Sequence, residues 1–182
     1  MENQKIITIT GYRSFELGIF QAKDPKLSLL YKFIKQSLIE WVENGVEWVV
    51  IGGNLGVELW AAEMVVELRQ EGYAIQLAVI LPFVDYGKQW NEKNKDLLNK
   101  ILAVADYVNY VSQRPYEHPR QLSNHTRFLA QHTDMLWAIY DTLYPGKSQF
   151  FIKEFTKIKG EVNVYLVGMD ELQDFSYNQL SD

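Results

Sequence analysis

The chain alternates short apolar runs with longer runs of helical period, and this alternation constrains the fold more than any other feature. Residues 6–10 read Ile-Ile-Thr-Ile-Thr, a β-branched run suited to a buried strand. Residues 48–51, 76–81, 107–111, 135–140 and 162–167 read the same way, the third stopped by Pro82. Between them, apolar residues recur at helical spacing. Leu27, Leu30, Tyr31, Ile34, Leu38, Trp41 and Val42 mark one helix, started by Asp24-Pro25 and ended by Asn44-Gly45. Further helices are predicted over 57–69, 91–104, 122–131 and 147–159. Strands separated by whole helices cannot pair as hairpins, so they join a parallel sheet. The predicted fold is α/β, a doubly wound, mainly parallel sheet of about five to six strands with helices on both faces. At 182 residues the chain suits one domain, 1–182, with an acidic, loosely ordered tail from about 171.

Open α/β sheets bind ligands at the carboxyl edge. Three long irregular stretches, 11–23, 82–90 and 112–121, leave strands at that edge. The sharpest local signal is Gly52-Gly53-Asn54-Leu55-Gly56-Val57-Glu58-Leu59-Trp60, between the second strand and its helix. Such a turn offers free backbone amides and the positive end of a helix to an anion. Its spacing is neither a Walker A loop nor a strict G-x-G-x-x-G fingerprint. The expectation is a phosphate on the turn 52–56, touching Gly52, Gly53, Asn54 and Gly56. The alternative is a tight turn whose glycines only allow helix-on-sheet packing.

Several side chains could complete that site. Gly11 permits a sharp turn or close ligand approach. Arg13 could clamp a phosphate with its planar fork, or pair with Glu16. Tyr12 could stack on a base or pack inside. Glu58 could take a ribose hydroxyl or act as a base, or merely favour the helix start. Trp60 is a stacking platform or core. If strands one and four flank the switch point, Arg114 faces the same crevice as Arg13. His118, His125 and His132 lack a carboxylate partner set and read as solvated or core residues, so no metal is expected. Asp141, at the carboxyl end of the fifth strand, could reach the crevice or serve as a cap or turn residue. Tyr86, Trp90 and Tyr116 read as exposed aromatics of a protein-contact surface.

Composition narrows the partners. A net charge of −5 argues against wholesale nucleic-acid binding. The absence of cysteine excludes disulfides and thiolate chemistry. No apolar run approaches the ~18–20 residues of a membrane span. Residues 1–5 lack the pattern of a leader, so the chain reads as cytoplasmic. A homo-oligomer and a protein partner stay open.

Three segments carry a family resemblance. Thr-Gly-Tyr-Arg-Ser-Phe-Glu-Leu-Gly-Ile-Phe at 10–20, Gly-Gly-Asn-Leu-Gly-Val-Glu-Leu-Trp-Ala-Ala-Glu at 52–63 and Arg-Pro-Tyr-Glu at 114–117 resemble the YpsA-like proteins of Gram-positive bacteria. The likeness runs from residue 6 to about 170. It implies the SLOG superfamily, a Rossmann-like fold and a nucleotide or nucleotide-derived ligand. Its relatives are the LOG phosphoribohydrolases and the DprA DNA-processing proteins, and its namesake is linked to cell division and stress. By this likeness Gly53, Gly56 and Glu58, with Trp60 beside them, fall on the ligand-binding motif. The chain departs from the hydrolases' Pro-Gly-Gly-x-Gly-Thr-x-x-Glu: Ile51 replaces Pro, Val57 stands for Thr, and Glu58 comes early. Three functions follow as expectations. The first is a sensor or regulator binding a nucleotide or ADP-ribose-like small molecule. The second is a protein-interaction module with a vestigial pocket. The third is an N-glycosidase with Glu58 as its catalytic group.

Overall fold

The computed structural model describes residues 4–181. The reading of residues 1–5 as leaderless rests partly on 1–3, which lie outside the described residues. Strand β1 (Ile6–Gly11) leads through a long loop into helix α1 (Pro25–Glu43). Asp24 caps α1 by accepting from Lys26 N, and Pro25 fits where no N–H is needed. There follow β2 (Trp48–Ile51), α2 (Val57–Gln70), β3 (Gln76–Phe83), α3 (Glu92–Val104) and β4 (Tyr107–Ser112). The chain then crosses back through α4 (Arg120–His132) to β5 (Met135–Ile139), α5 (Gln149–Lys159), β6 (Val164–Val167) and α6 (Met169–Leu180).

All six strands form one parallel sheet in the order β4-β3-β2-β1-β5-β6. Helices α1, α2 and α3 pack side by side on one face, α4 and α5 on the other, and α6 returns to α1. This is the doubly wound α/β fold that the alternation predicts. The β-branched runs work because both faces are covered: Ile7, Ile9, Val49, Ile51 and Val79 are fully buried. Trp137 on β5 stacks near Phe33 of α1, ring centres 6.0 Å apart, and anchors the α1 side.

Three local expectations are corrected. Pro82 does not stop β3, whose pairing with β4 continues to Phe83 opposite Ser112. Beside β2 the pairing ends at Val79, so Pro82 has a neighbour on one side only, an edge position that tolerates Pro. The tail is not loose, because 169–180 form α6, with Phe175 packed edge-on against Phe33. Most importantly for the site, β5 and not β4 lies beside β1. The crossover through α4 skips three strands, and no local periodicity encodes that choice.

Candidate functional site

The switch point falls between β1 and β5, and the loops after β1, β2, β3 and β5 meet above it. Glu58 sits in the first turn of α2 and is buried. Its carboxylate turns back into the loop it follows. Thr10 Oγ1 and Asn54 Nδ2 donate to Oε2 at 2.9 and 2.8 Å. Gly52 N donates to Oε1 at 2.8 Å, and Asn54 N approaches it at 3.4 Å. Arg13 Nη1 stands 4.0 Å from Oε2. A buried carboxylate without such partners costs several kcal/mol, whereas each hydrogen bond to a charge returns about 1.5–3 kcal/mol.

The glycine-rich turn therefore holds an anion, and the anion is the chain's own. The Gly52 amide donates to Glu58, and Val57 N donates to Tyr12 O at 3.1 Å. A ligand phosphate on those amides would meet the Glu58 charge. The glycines have packing reasons as well. A Cβ on Gly53 would come within 2.5 Å of Leu81 Cδ2, and one on Gly52 within 2.7 Å of His125 Cε1.

Above Glu58 opens a cavity of about 120 Å³ whose wall includes Thr10, Arg13, Asn54, Tyr86, His125 and Ser148. Arg13 Nη1 donates to Ser148 Oγ at 3.2 Å, and Ser148 Oγ donates to Gly11 O at 2.5 Å. The guanidinium does not pair with Glu16, whose Oε1 instead accepts from Arg13 N at 2.7 Å. Among the described residues, Nε and Nη2 of Arg13 have no partner. Tyr86 donates its hydroxyl to Asn54 Oδ1, which ties the 82–90 loop to the cavity wall. Burial pushes that phenol well above its ordinary pKa, so it stays a donor.

The other predicted site residues are placed elsewhere. Tyr12 is buried, stacked on Tyr140 at 5.2 Å, with its hydroxyl donating to Tyr144 O and accepting from Asp141 N. It pins the β1 loop to the β5 loop. Gly56 and Trp60 line a separate apolar depression of about 550 Å³ on the far side of the turn, with Leu55, Phe15 and Leu97. Arg114 lies on the β4 flank beside Glu117, His118 and Gln121. It cannot share a crevice with Arg13, because β4 is an edge strand separated from β1 by β3 and β2. Tyr86 is not exposed, whereas Tyr116 is, packed against Phe83. Asp141 acts as the cap the sequence suggests, accepting from Leu143 N and Met169 N.

His125 is a core residue, one of the two readings the sequence allows, and its ring also lines the cavity, whereas Ser148 was passed over. The spacing of His125 with Leu122, Thr126 and Leu129 puts it on the apolar stripe of α4, which is the signal that could have found it. His125 Nε2 lies 2.6 Å from Ile80 O, a carbonyl that only accepts, so Nε2 carries the proton. Burial pushes the imidazole pKa down and keeps it neutral. Nδ1 is then a bare acceptor without a partner among the described residues, on a ring that lines the cavity. His132, one heptad on, is exposed and bonds Phe128 O instead. Among the described residues no cluster of three or more His, Asp or Glu could hold a metal ion.

A pH dependence follows. With its folded pKa depressed, His125 binds a proton more readily in the unfolded chain. Its contribution is complete above the unfolded value of ~6.5 and is lost as pH falls below it, at up to about 1.4 kcal/mol per unit. Glu63, held high by burial, acts with the opposite sign: its contribution is complete below its unfolded value and is lost as pH rises through the folded one. Thermal unfolding of wild type and His125→Asn between pH 8 and 5 separates the two. The wild type should lose more stability on acidification than the variant; parallel curves would contradict the buried neutral imidazole.

A doubly wound α/β fold with a small cavity of mixed polar and apolar lining at its switch point defines the class. The YspA SLOG family matches over residues 7–172, and the chain belongs to that family. A UPF0398 protein of Enterococcus faecalis is 48% identical over 176 residues, covering 96% of this chain and 98% of its own. One from Bacillus pumilus is 44% identical over 169 residues, covering 93% and 90%. Among solved structures, DNA processing protein A from Helicobacter pylori, described for its single-stranded DNA binding mode, superposes with a TM-score of 0.55. That match covers all of this chain and 82% of the other at 14% identity, a likeness of fold. No helix among the described residues is long and apolar enough to cross a membrane.

Proposed function

We propose that the cavity over Glu58 binds the sugar–phosphate part of a nucleotide or nucleotide derivative, and that the protein acts as a sensor or regulator of that ligand. The observation that carries this reading is Arg13, whose Nε and Nη2 have no partner among the described residues, on the wall of a cavity at the switch point. The phosphoryl group sits on Arg13 rather than on the glycine amides. His125 Nδ1 accepts from a sugar hydroxyl. Glu58 holds the loop in shape and does not touch the ligand. At about 120 Å³ the cavity is smaller than the ~300–1,000 Å³ of sites that enclose a whole ligand, so the base lies outside it. Family membership and the nucleotide polymer bound by the structural neighbour support the ligand class. The net charge of −5 favours a small ligand over a polyanion.

This arrangement gives the N-glycosidase reading little support. The lone pairs of Glu58 are occupied by Thr10, Gly52 and Asn54, which leaves a poor general base. The protein-interaction reading has one specific observation in its favour: Phe15 and Phe20, at the mouth of the apolar depression, are 52% and 69% exposed.

A thermal-shift panel of nucleoside mono-, di- and triphosphates, cyclic nucleotides, dinucleotides and ADP-ribose tests the proposal. A ligand at 100 times its Kd adds ~2.7 kcal/mol, which is roughly 5–11 °C for a chain of this size. The expected result is a shift with one nucleotide class that Arg13→Gln abolishes. A shift with none of them would overturn the proposal.

A further inference from the structure

A second depression, of about 380 Å³, shares no lining residue with the switch-point cavity and is walled by α1, β5, β6 and α6. Its wall is unusual in two respects. Five aromatic side chains line it: Phe33 and Trp41 from α1, Trp137 from β5, Tyr165 from β6 and Phe175 from α6. Its only charged residues are two carboxylates, Glu40 and Glu171, and no Lys, Arg or His lines it. Trp137 forms the floor, 2% exposed, with Phe33 stacked beside it and Phe175 edge-on to Phe33.

Both carboxylates belong to one wall. Tyr165 donates its hydroxyl to Glu171 Oε1 at 2.7 Å, which orients that side chain at the rim. Glu40, from α1, stands on the wall of the same depression as this Tyr165–Glu171 pair. Among the described residues Glu40 makes no ion pair and its side chain no hydrogen bond, and Glu171 pairs with no cation. Aromatic faces attract cations through the ring quadrupole, and uncompensated carboxylates add to the same sign of field. A phosphate or carboxylate ligand would be repelled here.

We propose that this depression is a binding site for a small organic ammonium ion, independent of the nucleotide site. The ammonium group rests between Glu40 and Glu171, and its alkyl part lies on Trp41, Trp137 and Phe175. The volume suits a free amine of several carbons better than a single bare metal ion, which would find no ring of oxygen ligands.

The experiment titrates the full chain with tetramethylammonium chloride and with 1,5-diaminopentane, followed by tryptophan fluorescence and calorimetry. Sodium chloride at matched ionic strength is the control. The expected result is a saturable response to at least one amine, absent with sodium chloride. Glu40→Gln with Glu171→Gln should weaken it at least tenfold, and Trp41→Leu at least fivefold. Arg13→Gln should leave it unchanged, which separates this site from the switch-point cavity. Because Glu40 is exposed at the end of α1, Glu40→Gln alone should unfold at the wild-type temperature and still bind more weakly. No saturable response to either amine, or equal affinity in the double Glu→Gln variant, overturns the proposal. A response only to a lysine-rich peptide, with none to the free amines, would also overturn it in favour of a protein contact.

Discussion

Replacing Glu58 with Ala is expected to lower the stability of the protein by about 3–5 kcal/mol, the cost typical of removing one partner from a buried ionic cluster. The reason lies in what the carboxylate leaves behind. Thr10 Oγ1, Asn54 Nδ2 and Gly52 N all donate to it, and Thr10 and Gly52 are buried. Without the acceptor each becomes an unsatisfied donor away from water. Arg13 loses its neighbouring negative charge as well. For a chain of this length the change corresponds to a fall in Tm of roughly 6–20 °C. Glu58→Gln keeps the volume and one carbonyl oxygen and should cost about half as much. Urea and thermal unfolding of the two variants measure this. A loss below about 1 kcal/mol for Glu58→Ala would mean that the loop does not depend on its internal anion.

Gly56→Ala should be the next most damaging change near the site, by about 2–5 kcal/mol. Two costs combine. Gly56 has φ +89° and ψ −133°, a region that side chains avoid. A Cβ there would also fall onto Tyr12 O, 2.7 Å from Ser14 N and 2.8 Å from Arg13 Cα, all backbone that cannot step aside cheaply. Gly45→Ala is the control: its φ is +105°, but nothing lies within 4 Å of the added carbon. Strain alone should make Gly45→Ala the milder variant. Equal losses in the two would show that the close approach of the β1 loop to α2 carries no energetic weight. Because Arg13 belongs to the loop being pushed, Gly56→Ala should also weaken ligand binding, while Gly45→Ala should not.

The contrast between these residues indicates what can be read without coordinates. Periodicity located all six strands and five of the six helices, because Ile7, Ile9 and Val49 are buried by sheet faces that a period can encode. The sixth helix was missed since Leu172 and Phe175 give it only a thin apolar stripe, which α1 completes. Glu58, Gly52, Asn54 and Arg13 were legible as a group because they are close in sequence or sit at strand ends. Their roles were not. Whether the turn's amides meet a ligand phosphate or Glu58 depends on a side chain folding back over six residues, and no spacing rule distinguishes the two. Arg114 and His125 were exchanged in importance for a different reason. Both follow from strand order, which is set by a long crossover rather than by local propensity. Once β5 lies beside β1, α4 carries His125 over the sheet and leaves Arg114 at the far edge.

In the proposed function Arg13, rather than the glycine amides, receives a nucleotide-derived ligand. Calorimetric titration of wild type and Arg13→Gln with the nucleoside phosphate that gives the largest thermal shift tests it most directly. The predicted result is one-to-one binding by the wild type and at least tenfold weaker binding by the variant, measured at a temperature where circular dichroism shows both proteins folded. Equal affinity in the two would contradict the claim and return the ligand to the turn or to the apolar depression beyond it.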